Sequence, residues 1–169
     1  MFMFLFRPNI RVSFLCLVTI ILCITVHELG HVLAGWATGG RVTRFVLLSV
    51  RPHVRVQGKS TPAQMAVKAA GGSGLFMTVW LAMVAVFPKA RKYWVVVEVS
   101  FIFALIEGLA WLLYSSFFPH GPGADDVSKF IRYSGISPIG VAAAWAGIAM
   151  FSTFFFQWKR AQIFRYSEN

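Results

Sequence analysis

The chain has 169 residues, of which 57% are hydrophobic and 13% charged, with 16 Lys and Arg against six Asp and Glu. Soluble domains run near half apolar and about a quarter charged, and a core built from so short a chain cannot hide this much apolar surface from water, so a soluble globular protein is excluded and one membrane-embedded domain over 1–169 is expected. The net charge of +10 falls in short groups between uncharged stretches, with no nucleic-acid motif, which suits lipid headgroups rather than nucleic acid.

The uncharged stretches predict the elements. Glu28 is the only Asp, Glu, Lys or Arg between Arg11 and Arg41, and there is none between Lys68 and Lys89 or between Arg132 and Lys159. Only Glu98 and Glu107 interrupt the run from Lys92 to Asp125. A helix crossing the hydrocarbon core needs about 20 apolar residues, which predicts four spans near 12–38, 65–88, 93–118 and 138–157. The first is too long for a signal peptide and lacks a small-residue cleavage pattern. Cys16 and Cys23 fall inside it at a spacing that matches neither a zinc knuckle nor a redox pair.

Between the first two spans, RVTRFVLLSVRPHVRVQG at 41–58 is rich in strand formers and broken by Arg51-Pro52, predicting a small β-hairpin. The fold class is therefore an all-α membrane protein with a short hairpin between helices 1 and 2. FFPHGPGA at 117–124 must break the third helix, and VSKFIRY restarts one. The tail 158–169 reads as a basic interfacial segment.

The first span contains His27-Glu28-Leu29-Gly30-His31. Residues i and i+4 share a helix face, so two imidazoles there can hold one tetrahedral zinc ion. Glu28, rotated off that face by about 100°, is placed to act as general base. Ionisable residues at this depth cost about 2.5–3.5 kcal/mol each and are functional by default. By helical rise, His27 lies roughly 24 Å from Arg11 and roughly 21 Å from Arg41, near mid-membrane.

A catalytic zinc site takes three protein ligands and leaves a fourth position open. The candidates for the third are Asp125, Asp126 and Glu107. An even number of spans puts the 41–68 and 119–137 loops on one side, so the aspartates can converge on the histidines. Phe130 falls four residues after Asp126, on the same helix face. Glu107, similar in depth to His27, can be a ligand or a partner holding a histidine from behind. Glu98 lies nearer the opposite interface and is expected to snorkel. His53 is expected to be solvated, and His120 lies close enough to the aspartates to be a minor candidate. Gly71, Gly72, Ser73 and Gly74 leave room for water or for close helix packing.

These features resemble the site-2 protease family of intramembrane zinc metallopeptidases, in particular its small minimal-core members. The resemblance is carried by HELGHVLAGWATGGRV at 27–42, AAGGSG at 69–74 and ADDVSKF at 124–130, with Pro138 and Trp145 suiting the helix that follows. It implies His27, His31 and Asp126 as zinc ligands, Glu28 as the base, and cleavage of membrane-protein substrates in or near their transmembrane segments. It also implies a substrate held along the 41–58 segment as an added strand, and active-site loops facing the cytosol. Gly72 stands where the family usually has Pro, and no Asn occurs near Leu75, where the family often has one that assists the substrate.

Three other readings use the same residues: a silent membrane scaffold of this fold, a metalloprotease with Glu107 as third ligand, and a metal transporter or sensor. Lys and Arg number eight on each side of the four-span arrangement, so the positive-inside rule assigns no orientation.

Overall fold

The computed structural model describes residues 10–47, 49, 52–86, 94–117 and 126–165. In chain order these form α1 (Ile10–Ala37), β1 (Arg41–Val46), β2 (His53–Gln57), α2 (Pro62–Val86), α3 (Trp94–Phe117), α4 (Asp126–Ser134) and α5 (Pro138–Arg165). Four of these helices, α1, α2, α3 and α5, are long and apolar enough to cross a membrane. Helix suits such sequences because hydrocarbon offers backbone N–H and C=O groups no partner outside the segment.

The ends of the helices are written in local chemistry. α1 stops at a Schellman turn: Gly40 N–H donates to the Gly35 carbonyl and Gly39 N–H to that of Trp36. Gly39 sits at φ +74°, which favours a residue without a Cβ. α2 opens with a capping box, in which Gln64 N–H donates to Thr61 Oγ1 and the Gln64 side chain accepts from Thr61 N–H, followed by Pro62 at the first helical position. Ser137 caps α5 through Gly140 N–H, again with proline next.

The four predicted spans match the helices to within a few residues, except that α5 does not end near 157. It continues to Arg165, because nothing from Gln157 to Arg165 breaks a helix and its basic residues find partners there. Arg160 lies 3.8 Å from Glu98, and the Lys159 ammonium sits over the Trp158 ring. Glu98 is accordingly paired rather than merely snorkelling, and it also accepts from Trp94 Nε1.

β1 and β2 pair antiparallel, with Val42 opposite Val56 and Arg44 opposite Arg55, and a bulge between Val42 and Arg44. Val56 packs on Gly35 and Gly40, fixing the hairpin to the end of α1.

α1 turns Phe14, Leu17, Leu22, Leu33 and Trp36 outward, as a lipid-facing surface requires, and packs its small residues on α2. The crossing is backbone to backbone: a Cβ on Gly30 would lie 2.1 Å from the Gly71 carbonyl oxygen. Phe76, Trp80, Val84 and Val97 form the larger core toward the N-terminal end of α1. A second cluster of Trp111, Val127, Ile131 and Val141 seats the short amphipathic α4 against its neighbours.

Candidate metal centre

α1 ends at Ala37, so His27 lies about 15 Å from that end and about 26 Å from Ile10. The histidines are thus nearer the hairpin side than the midplane position read from the flanking arginines. Both project from the α1 face that meets α2 and α3, and α4 begins at Asp126 directly against them.

His31 Nδ1 lies 2.7 Å from the Lys68 carbonyl oxygen. A carbonyl only accepts, so this nitrogen carries the proton and Nε2 presents its lone pair. His27 Nδ1 lies 2.9 Å from Glu107 Oε1. The contact is electrostatic rather than a well-aligned hydrogen bond, since the nitrogen meets no acceptor in line. A carboxylate on that side nevertheless favours the proton there and leaves Nε2 free. Partners of this kind set tautomer and ring orientation in metal-binding histidines.

The two Nε2 atoms then face each other at 3.2 Å. Asp126 Oδ2 stands 3.1 Å from that of His31 and 3.8 Å from that of His27. Three acceptor atoms converging on one point repel unless a cation lies between them. A proton bridges only one pair, whereas a metal ion satisfies all three. Zinc bonds of about 2.0–2.1 Å at tetrahedral angles separate ligand atoms by about 3.3 Å, so the triangle has the size of one face of a zinc tetrahedron. Among the described residues, His27, His31 and Asp126 are the cluster able to hold a metal ion.

Burial pushes the Asp126 carboxyl up, but when a proton rather than a cation stands in the triangle, hydrogen bonds from the His27 and His31 imidazoles outweigh this and hold it well below the usual carboxylate range. Its second oxygen lies 4.0 Å from Lys129 Nζ.

Glu28 is buried, 6% exposed, and its Oε2 meets no hydrogen-bond partner. A dry, unpartnered carboxylate oxygen is costly unless something arrives to use it. Gly72 closes the site from α2: a Cβ there would stand 2.5 Å from His31 Nε2 and 2.6 Å from His27 Nε2. Helix α2 can pass the two imidazole nitrogens at this distance only without a side chain.

Glu107 faces the rear nitrogen of His27, not the triangle, so it occupies the position of a supporting partner. His53 is exposed on β2. Asp125 and His120 lie outside the described residues. Of the small-residue stretch, Gly71 serves the helix crossing, Gly72 the close approach to His27 and His31, and Ser73 a hydrogen bond to Glu107. Gly71 and Gly74 also line an open groove of about 420 Å³ beside α1, with Phe130 at its edge. Sequence reasoning did not find the Lys68 carbonyl or Trp111, whose indole reaches Ser73. The first is backbone and carries no residue signal. The second is one of six Trp in a chain where aromatics are everywhere.

No protein-family model, curated protein or solved structure matches this chain.

Proposed function

We propose that the chain is an intramembrane zinc metalloprotease that hydrolyses peptide bonds in or near transmembrane segments of membrane proteins. The observation that carries this reading is the acceptor triangle of His27 Nε2, His31 Nε2 and Asp126 Oδ2, with edges of 3.2, 3.1 and 3.8 Å, one residue from buried Glu28, whose Oε2 has no hydrogen-bond partner. Zinc bound there supplies Lewis acidity, polarising the scissile carbonyl and making water nucleophilic near neutral pH.

The protein's own groups do the rest. His27 and His31 offer neutral nitrogens whose protons are held away from the metal by Glu107 and the Lys68 carbonyl. Asp126 would contribute one negative charge to the same site. Glu28 takes the proton from the attacking water and returns it to the leaving amine. The hairpin at the end of α1 presents strand backbone on the same side as Asp126, a place for an extended substrate to add as a strand. The cytosol is the side we assign to these loops.

The test uses zinc-loaded protein reconstituted with single-span reporter substrates. Wild type cleaves and a chelator stops it, while Glu28→Gln keeps its zinc and does not cleave. Cleavage by zinc-loaded Glu28→Gln at the wild-type rate rejects the mechanism. Zinc retention without cleavage of any reporter by wild type favours the silent scaffold instead.

A further inference from the structure

Behind His27 runs a buried polar chain. Glu107 Oε1 faces His27 Nδ1 at 2.9 Å, and Glu107 Oε2 accepts a 2.6 Å hydrogen bond from Ser73 Oγ. Ser73 Oγ in turn accepts from Trp111 Nε1 at 2.8 Å. The indole N–H only donates, and the serine hydroxyl donates its own hydrogen bond to the carboxylate, so Ser73 is held at both ends. Ser73 and Trp111 are 1% and 2% exposed. In a low-dielectric interior such a chain is strong when complete and damaging when one member is lost.

Trp111 also reaches the other half of the metal centre. Its ring meets Phe130 edge to face at 5.4 Å and stacks on Trp145 at 4.8 Å. Phe130 stands one turn along α4 from Asp126, so the indole touches both the chain that orients His27 and the helix that delivers the carboxylate.

We propose that Ser73 and Trp111 are positioning residues for the metal centre: they hold Glu107 against His27 and tie that orientation to the seating of α4, which carries Asp126. The proposal rests on the zinc-site reading above. Its charge logic is specific to the bilayer. A zinc ion with two neutral histidines and Asp126 would carry one net positive charge, and Glu107, like Glu28, is a carboxylate placed beside it. Held by Ser73, the Glu107 carboxylate stays turned toward His27 instead of toward the metal.

The experiment measures zinc affinity by competition with a chromophoric chelator in detergent, and the melting of the metal-free protein in parallel. The variants are Ser73→Ala, Trp111→Phe, Glu107→Ala and the double Ser73→Ala/Glu107→Ala. Loss of a supporting partner typically weakens metal binding about 10–100-fold. Ser73→Ala and Trp111→Phe should each fall toward the lower end of that range, beyond what any change in metal-free melting accounts for. The double variant should bind no more weakly than Glu107→Ala, because Ser73 acts through Glu107. Trp111→Phe keeps an aromatic ring against Phe130 and Trp145, so it removes the hydrogen bond more than the packing. Wild-type affinity in both single variants, or losses that add in the double variant, overturns the proposal. Losses that merely follow a lowered metal-free melting temperature make these residues structural and also overturn it. Wild type that binds no zinc is a different failure, since it removes the metal centre itself and this proposal with it.

Discussion

Gly72→Ala is the sharpest test of how closely α2 approaches the metal ligands. The added methyl would lie 2.5 Å from His31 Nε2 and 2.6 Å from His27 Nε2, where unbonded atoms prefer about 3.5 Å. On that figure the His31 nitrogen must retreat by about 1.0 Å and the His27 nitrogen by about 0.9 Å, while metal–ligand distances tolerate about ±0.2 Å. At least one histidine therefore leaves the triangle, and zinc affinity should fall by at least about 100-fold, or about 2.8 kcal/mol. Folding should suffer much less, because the atoms in the way are the ends of side chains that can turn aside when no metal holds them.

Two neighbours serve as controls. Gly71→Ala meets the Gly30 carbonyl oxygen and the Ala34 methyl, both at 2.6 Å. Backbone cannot turn aside, so this change should lower stability by about 1–3 kcal/mol, as overpacking does. Gly74→Ala meets nothing within 4 Å and should leave both properties unchanged. The assays are chelator competition for zinc affinity and near-ultraviolet circular dichroism for melting of the metal-free protein. Gly72→Ala that binds zinc as tightly as wild type would refute the geometry on which the site is built.

The remaining predictions follow the ligand set and the topology. Asp126→Ala should release zinc during purification, since two imidazoles remain, whereas Glu107→Ala should keep it with affinity lowered about 10–100-fold. If Glu107→Ala alone strips the metal, Glu107 is the third ligand and the assignment of Asp126 is wrong. Zinc binding should weaken on acidification, because protons compete for the ligand atoms; a titration of bound zinc against pH that stays flat into the acid range would contradict imidazole ligation. In a cysteine-free background, Arg55→Cys and Arg132→Cys should be labelled from one side of the membrane and Ala161→Cys from the other. Labelling of Arg55→Cys and Arg132→Cys from opposite sides would show that the hairpin and α4 cannot share a site.

Much of this architecture was legible from where charges are missing. Hydrocarbon tolerates few charges, so Arg11 and Arg41 fall within four residues of the ends of α1, while Lys68 and Arg132 fall six residues from the starts of α2 and α5. The last helix outruns its predicted span, because basic residues near an interface need not end a helix. Lys159 and Arg160 find ring faces and Glu98, and α5 runs on to Arg165. The His27-Glu28-His31 spacing was legible because helical geometry alone puts its imidazoles on one face.

Asp126 was reachable only with the resemblance, since the spacing of Asp125 and Asp126 along the chain does not say where α4 begins. The supporting chain was out of reach for a different reason. Glu107, Ser73 and Trp111 are separated by up to 38 positions, and only the packing of α2 on α3 makes them one hydrogen-bonded unit. Gly72 looked like one small residue in a stretch of four until the helix crossing separated Gly71 from it.

The central claim is that two histidines and one aspartate hold a zinc ion, and X-ray absorption at the zinc edge tests it most directly. Cys23 sits one helical turn before His27 and is buried, so sulfur is the rival ligand on the same helix. Zinc–sulfur bonds are about 2.3 Å, against about 2.0–2.1 Å for imidazole nitrogen and carboxylate oxygen. The account predicts one zinc ion per chain, an imidazole signature, a nitrogen and oxygen shell near the shorter distance, and loss of the metal in Asp126→Ala. A sulfur shell, or purified wild-type protein that retains no zinc while folded, would contradict it.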